Sequence, residues 1–318
     1  MPNDQAAGFS ADAITDADPS AHRPGSGGFL QSIRLTLAEP RGSTLVFEAT
    51  TGCVPWPKAY GGDLLAQAVT AGQASVGAGR VLHSMHSHFL RPATVAERLT
   101  YEVELTRDGR SYSTRRVSAF QGGREIFVAT LSFQLDEVGV DYSPTIDEMP
   151  GPDDLPGSAE YLAAHAEQGH DLAPAVAEYW AHGRSFDQRH SPGPVYLATE
   201  PASASHQAVW VKAFDALPDE PGIHRAALAY VSDYTILEPS LRAVGASWSD
   251  RGLVTASLDN AIWFHRQARA DEWLLYLQEA ESVQGGRGLN RGRFFDRSGR
   301  LIATVMQEGM LRTERGIS

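Results

Sequence analysis

Few side chains in this 318-residue chain combine reactive chemistry with a telling setting. Asp233 is the first. It lies in Ile223–Glu238, IHRAALAYVSDYTILE, where apolar residues occupy nearly every face of a helix and no Gly or Pro interrupts the run. A helix that is apolar all round is usually buried. A buried carboxylate is costly unless it is paired, hydrogen-bonded or used in a reaction. On the residues alone Asp233 reads first as a carboxylate that reaches solvent or caps a neighbouring loop, and second as a general base. Gln307 is the second. Under strand alternation it shares a face with Leu301, Ala303, Val305 and Leu311, an apolar face with one amide. The residues alone read that amide as a tie to neighbouring backbone. Ser257 is the third. On an expected strand at about 253–265 it shares the more polar face with Thr255, Asp259 and Trp263, where a hydroxyl can simply meet water. Asp259 is a rival carboxylate two residues along, although Asp259–Asn260 also suits a bulge or a strand-turn pair.

Other reactive residues carry less. His83, His86 and His88 have a metal-like composition, but in a strand His86 and His88 share one face and His83 takes the other, so three ligands do not converge. Core or interface roles suit them better, and no metal is expected. Cys53, the one cysteine, lies in a Pro-rich loop with no base nearby in sequence and reads as an inert thiol. The chain lacks a G-x-S-x-G elbow, a phosphate-binding Gly-rich loop with Lys, and a C-x-x-C pair. A formal net charge of −12 argues against nucleic acid and anionic membranes as partners. It leaves room for a local Arg pocket for a phosphorylated ligand, with Arg107, Arg110, Arg115, Arg116, Arg287, Arg291 and Arg293 as candidates, although as a group these read better as solvated sheet edges. One cysteine allows no internal disulfide and fits a reducing compartment. No apolar run reaches the roughly 20 residues of a membrane-spanning helix. The acidic, Ala/Ser-rich beginning does not resemble a signal peptide, and the final GIS is not a peroxisomal tripeptide. These features lead to the expectation of a cytoplasmic protein.

The elements that must position these residues fall in two similar sets. Residues 1–27, rich in Ala, Asp, Ser, Gly and Pro without periodicity, read as a disordered tail. Gly28 to Glu48 suits a strand or two. Gly61–Gly62 opens an apolar helix, Asp63 to Ser75, and strands follow at about 82–91, 98–107, 111–121 and 125–134. Residues 136–182 read as a linker with one short Ala-rich helix, Ser158 to Ala166. Then come a strand at 206–214, the helix 223–238, and strands at about 253–265, 271–283, 287–296 and 300–312. Gly122–Gly123 and Gly285–Gly286 mark hairpins. His83–Arg91 lines up with Leu258–Arg266, matching Phe89 to Phe264 and Arg91 to Arg266, and Gly123–Ile126 lines up with Gly299–Ile302. A repeated helix plus antiparallel meander is an α+β pattern in which a twisted sheet can wrap its apolar helix.

YGGDLLAQA, LHSMHSHFLRP, TRDGRSYSTRRVSA, VSDYTILEP, DNAIWFHR, EWLLY and VMQEGMLR resemble the type II acyl-CoA thioesterases, in order and over about Phe29 to Arg312. The resemblance implies a double hotdog, two helix-wrapped-by-antiparallel-sheet modules in one chain: an N-terminal module at 28–135, the linker, and a C-terminal module at 183–314 that carries the catalytic residues. It implies hydrolysis of fatty acyl-CoA to free acid and coenzyme A, with no cofactor or metal. It also implies that the chain forms a homo-oligomer, with His86, His88 and Phe89 as one available surface. The family holds its water with a carboxylate, a hydroxyl and a carboxamide, which fall on Asp233, Ser257 and Gln307. Ser257 stands where the family usually has Thr, which keeps the hydroxyl and loses the methyl that stiffens the rotamer. A direct attack by Asp233 through an anhydride is a variant, and backbone N–H groups at Gly61–Gly62 are candidates for the oxyanion. In the first module Asp233 is matched near Thr70 and Gln307 near Leu131, so that module is expected to lack a site of its own. Two other readings belong to other activities. One is a hotdog acyl-CoA binding or sensing protein without turnover. The other is a hotdog dehydratase, against which the chain offers no His near Asp233.

Overall fold

The computed structural model describes residues 27–166, 172–197 and 205–313. The tail expected over residues 1–27 lies, apart from Gly27, outside them. The first module comprises α1 (Gly27–Ser32), β1 (Thr36–Arg41), β2 (Thr44–Thr50), α2 (Gly61–Gln73), β3 (Arg80–Phe89), β4 (Arg98–Asp108), β5 (Tyr112–Gln121) and β6 (Arg124–Leu135). The connection holds α3 (Ser158–His165) and α4 (Pro174–Glu178), which runs into a π-turn over Tyr179–Gly183. The second module comprises β7 (Phe186–Ser191), β8 (His206–Ala213), α5 (Pro221–Ser232), α6 (Glu238–Val244), β9 (Val254–Ser257), β10 (Asp259–Phe264), β11 (Leu274–Gln284), β12 (Arg287–Phe295) and β13 (Leu301–Arg312).

The strands form one antiparallel sheet in the order β1-β2-β4-β5-β6-β3-β10-β13-β12-β11-β8-β7, with β9 also on β13. The modules join where β3 pairs with β10, Asp259 opposite His88 through Trp263 opposite Ser84. Each half wraps one apolar helix. Leu64, Leu65, Ala68 and Val69 of α2 and Ala226, Ala227, Leu228 and Val231 of α5 are buried. The two helices pack against each other in opposite directions. Tyr60, before α2, donates its hydroxyl to the Tyr230 carbonyl late in α5 (2.6 Å), while Gln73 at the end of α2 donates to the Gly222 carbonyl at the start of α5 (3.2 Å). Two helices, each wrapped by half of a sheet and laid together, make a double hotdog. The repeat in the sequence has a direct counterpart here. The N–H groups of Leu90 and Arg91 both reach the Ile126 carbonyl, and those of His265 and Arg266 both reach Ile302. The hairpins at Gly122–Gly123 and Gly285–Gly286 have positive φ at both residues, a geometry side chains beyond Cα disfavour.

The structure revises four expectations. The run 223–238 is not one helix. α5 stops at Ser232, with Asp233 as its C-cap, and α6 begins at Glu238. Pro239 has no N–H to bond back to Thr235 and its ring would clash there, so the second helix starts afresh with Pro in its first turn. The strand at 253–265 breaks at Leu258. Ser257 stands opposite Gly309 and Ala261 opposite Met306, so four steps of one strand span three of the other. Residues 27–32 are helical before the first strand. Finally, the connection contributes α4 and its π-turn, and an additional strand, β7, lies at the edge of the sheet.

Candidate active site

The bulge at Leu258 brings the site residues together. Without it Ser257 would face the same way as Asp259. With it, Ser257 lies opposite Gly309, on the face of β13 that carries Gln307. Asp259 then acts on the bulge itself, its Oδ1 accepting the Glu308 N–H (2.7 Å). That gives the rival carboxylate a structural function and leaves Asp233 as the acid in the cleft.

Ser257 Oγ donates to Asp233 Oδ1 at 2.7 Å, and Gln307 Nε2 donates to the same oxygen at 2.6 Å. The second Gln307 N–H reaches Ser257 Oγ (3.0 Å), and its Oε1 accepts from Asn260 Nδ2 (2.8 Å). Gln307 is fully buried, whereas Asp233 and Ser257 are half-buried. Desolvation pushes the Asp233 carboxyl up to about 6, against the stabilising bonds from Ser257, Gln307 and the Gly62 amide. The Gly62 contact comes from the other module: the N-terminus of α2, with its partial positive charge, meets the C-cap of α5. A Cβ on Gly61 would lie 2.5 Å from Asp233 Oδ2, so the approach requires glycine. The Gly62 amide, a candidate for the oxyanion, is thus engaged with the carboxylate.

A cleft of about 160 Å³ opens beside Asp233 and Ser257. Its walls come from the loop before α2 (Trp56, Tyr60), the π-turn and the residue after it (Tyr179, Trp180, Arg184), the turn after α5 (Tyr234, Leu237), Trp248, and Thr255 and Ala256 of β9. Sequence reading missed most of these, together with Asn260. The aromatic walls are scattered over loops and carry no spacing signal. Asn260 was noticed only as half of a bulge pair.

The first module lacks the same constellation. Its bulge falls at His83, which aligns with Leu258: Leu82 pairs with Phe133 and Ser84 with Ser132. Leu82 therefore replaces Ser257, and Leu131 replaces Gln307. The helix counterpart of Asp233 is Gln73 rather than Thr70. Asp233 touches the start of α2 as Gln73 touches the start of α5. Leu82 and Leu131 are buried apolar side chains.

Other candidates are placed elsewhere. His83 bonds to Ser132, His86 packs edge-on against Trp263, and His88 is exposed. Among the described residues no three His, Cys, Asp or Glu side chains gather as a metal site would need. Phe89 does not share the His86–His88 surface. Strand alternation turns it inward, against Phe127 and over Gly61. Cys53 is exposed. Arg115 is buried and bound to Asp108, Arg116 pairs with Glu104, Arg287 with Glu308, and Arg291 with Glu279 and Glu281, while Arg293 lies over Phe295.

A family model described as acyl-CoA thioesterase matches residues 185–310, and one described as the acyl-CoA thioesterase N-terminal domain matches residues 53–134. Acyl-CoA thioesterase 2 of Haemophilus influenzae is 32% identical over 84% of this chain and 92% of its own length. The chain belongs to the type II acyl-CoA thioesterase family. Acyl-coenzyme A thioesterase 8 of Rattus norvegicus is 30% identical over 96% of this chain and 97% of its own. The crystal structure of the acyl-CoA thioesterase II TesB2 of Mycobacterium marinum is similar at a TM-score of 0.71 and 34% identity, covering 91% of this chain and 98% of that one. This thioesterase is accordingly an acyl-CoA hydrolase, and no helix among its described residues is long and apolar enough to cross a membrane.

Proposed function

We propose that the chain hydrolyses fatty acyl-CoA to the free acid and coenzyme A, with Asp233 as general base and Ser257 and Gln307 orienting the attacking water. The observation that supports this reading most is the convergence of two side-chain donors on one oxygen of a half-exposed, desolvated carboxylate. A water entering the cleft gives a proton to Asp233 as its oxygen bonds to the thioester carbon. The tetrahedral intermediate then collapses, and the sulfur of coenzyme A leaves and takes that proton back. The second module (183–314) carries these three groups. The first (28–135) lends the α2 N-terminus and the Trp56 and Tyr60 walls, and the connection (136–182) lends Tyr179 and Trp180. No cofactor or metal enters this chemistry, and the lone cysteine suits a reducing, cytoplasmic setting. The test is release of coenzyme A thiol from fatty acyl-CoA of graded length. A folded protein that binds these thioesters and releases no thiol would favour the binding protein instead.

A pH profile follows from the Asp233 carboxyl at about 6. The base works ionised, so kcat should be flat above about 7 and fall roughly tenfold per unit below about 6. A rate unchanged between pH 5 and pH 7, with the fold intact by circular dichroism, would exclude this carboxyl as the base.

Self-association is a further part of the proposal. The outer face of the β3–β10 junction presents His86 and His88 beside Trp263, a mixed aromatic surface suited to a second copy. Sedimentation at micromolar concentration should show a species larger than the monomer. A monomer alone would reject it.

A further inference from the structure

Behind Asp233, Ser257 and Gln307 stand two buried polar residues that do not line the cleft. Asn260, the second residue of β10, is 1% exposed and points inward. Its Nδ2 donates to Gln307 Oε1 (2.8 Å) and to Ser232 Oγ (3.3 Å). The Ser232 hydroxyl gives its own hydrogen to the Ala229 carbonyl of α5 (2.8 Å), so toward Asn260 it can only accept. The Asn260 backbone stands opposite Ser87 of β3, whose hydroxyl donates to the Asn260 carbonyl (2.9 Å). A chain of bonds thus runs from the α5 backbone through Ser232 and Asn260 to Gln307.

This arrangement is costly to the fold. Asn260 Oδ1 is buried with no donor within bonding distance among the described residues. The first module fills the same places without polar groups. Asn260 aligns with Met85, Ser232 with Gly72 and Gln307 with Leu131. Met85 and Leu131 are fully buried, and a Cβ on Gly72 would lie 2.5 Å from the Leu131 side chain. A hotdog module therefore closes well with apolar groups at these positions, and the amides occur in the module that holds Asp233.

What Asn260 adds follows from the reaction cycle. While Asp233 is ionised it can only accept, and that alone turns Gln307 Nε2 toward it. Once Asp233 has taken the proton from water, this constraint lapses. A neutral carboxyl can donate to Gln307 Oε1 if the amide turns over, and the proton is then held away from the departing sulfur. Asn260 Nδ2 opposes that turn, because it needs the Gln307 oxygen as acceptor. Ser232, able only to accept, opposes the matching turn of Asn260.

We propose that Asn260 is a positioning residue for the hydrolysis: with Ser232 as its reference, it keeps the Gln307 N–H groups toward Asp233 throughout the cycle, also while Asp233 carries the water proton. This rests on the reading that Asp233 is the base and Gln307 its donor.

The experiment measures kcat and KM for thiol release from decanoyl-CoA between about pH 5 and about pH 9, with an NMR titration of the Asp233 carboxyl carbon in the same proteins. These are wild type, Asn260→Ala, Ser232→Ala, Gln307→Ala and the variant that combines Asn260→Ala with Gln307→Ala. Asn260→Ala should lower kcat roughly tenfold, the scale of one hydrogen bond. KM should change little, since neither Asn260 nor Ser232 is among the described residues lining the cleft. The acid limb of Asn260→Ala should lie above the wild-type position near about 6, because a turned amide accepts from the neutral carboxyl and favours it. Ser232→Ala should move the limb the same way by less. In the Gln307→Ala background Asn260→Ala should move it no further, since no amide remains to turn. An Asn260 that only supports the fold would lower kcat alike in both backgrounds and leave the limb in place, and that result overturns the proposal. If Asn260→Ala does not fold, Ser232→Ala decides: an upward limb supports the relay, and an unmoved limb overturns it. If wild type releases no thiol, the reading of hydrolysis fails and the NMR titration still decides. A carboxyl that titrates higher in Asn260→Ala than in wild type, and equally in the two proteins carrying Gln307→Ala, supports the positioning role. An Asp233 titration that Asn260→Ala leaves unchanged overturns it.

Discussion

Asp233→Asn should lower kcat by roughly 10²–10⁴-fold, the contribution of a well-placed general base, with little change in substrate affinity. The amide has the shape of the carboxylate and keeps an acceptor for Ser257 and Gln307, so the turn after α5 should hold. What disappears is the group that can take a proton from water. The variant also separates catalysis from stability. Burial raises the wild-type carboxyl to about 6 in the folded protein, above its ordinary value. In the interval between those values the folded state binds more protons than the unfolded state. The stabilisation from Asp233 is then fully present below about 4 and is lost as pH rises through about 6. The Asn variant does not titrate, so its melting temperature relative to wild type should rise from pH 4 to pH 7 while its turnover stays low. A folded Asp233→Asn enzyme with wild-type thiol release would reject the assignment. Parallel stability curves for the two proteins would show that the carboxyl is not desolvated.

The pattern of helix and meander was legible because each module repeats local signals: paired glycines at the hairpins, alternating strands, and a helix apolar on every side. Motif resemblance placed Asp233, Ser257 and Gln307, and the structure brings those three side chains into one hydrogen-bonded group. What the sequence hid was how they meet. Strand alternation alone puts Ser257 with Asp259 on the wrong face, because a single extra residue at Leu258 reverses every side chain before it. Apolar composition ran α5 through Asp233, since nothing in YTIL shows that Pro239 requires a new helix and leaves room for a turn. β7 escaped notice because its inward positions include Gln188 and His190, whose polarity masks a buried face. The inward His190 belongs to a polar cluster with Glu238 and Gln207, which only tertiary structure assembles. Arg184 follows for the same reason. Nothing near it in sequence says that its guanidinium will be enclosed by Tyr196 and Tyr234.

Gln307 should prove the most informative residue after Asp233, because its counterpart in the first module, Leu131, shows the same strand position filled without chemistry. Its amide is used completely: two N–H bonds to Asp233 and Ser257, and one carbonyl bond from Asn260. The Asp233 carboxylate fixes which way the amide points, since an ionised carboxylate can only accept and so must face Gln307 Nε2. Gln307→Ala should therefore reduce turnover by roughly 10²–10³-fold, the scale for removing a preorganised donor from an active site. It should also cost about 1–3 kcal/mol of stability, as Asn260 Nδ2 loses its acceptor and Asp233 Oδ1 loses a donor. A loss of activity alone would fit a purely structural role. The readout that distinguishes them is the pH profile. Gln307 stabilises the ionised form of Asp233, so its removal should move the acid limb of kcat upward from about 6. Ser257 gives the matching control. Ser257→Ala removes the other donor and should lower turnover and move the limb in the same direction. Ser257→Thr keeps the hydroxyl, restricts its rotamer and should preserve or raise the rate. If Gln307→Ala slows the enzyme while the limb stays in place, the amide does not tune the base and acts only by holding the water or the sheet. If the limb moves upward in Gln307→Ala and Ser257→Ala and stays in place in Ser257→Thr, both donors act on the Asp233 carboxylate.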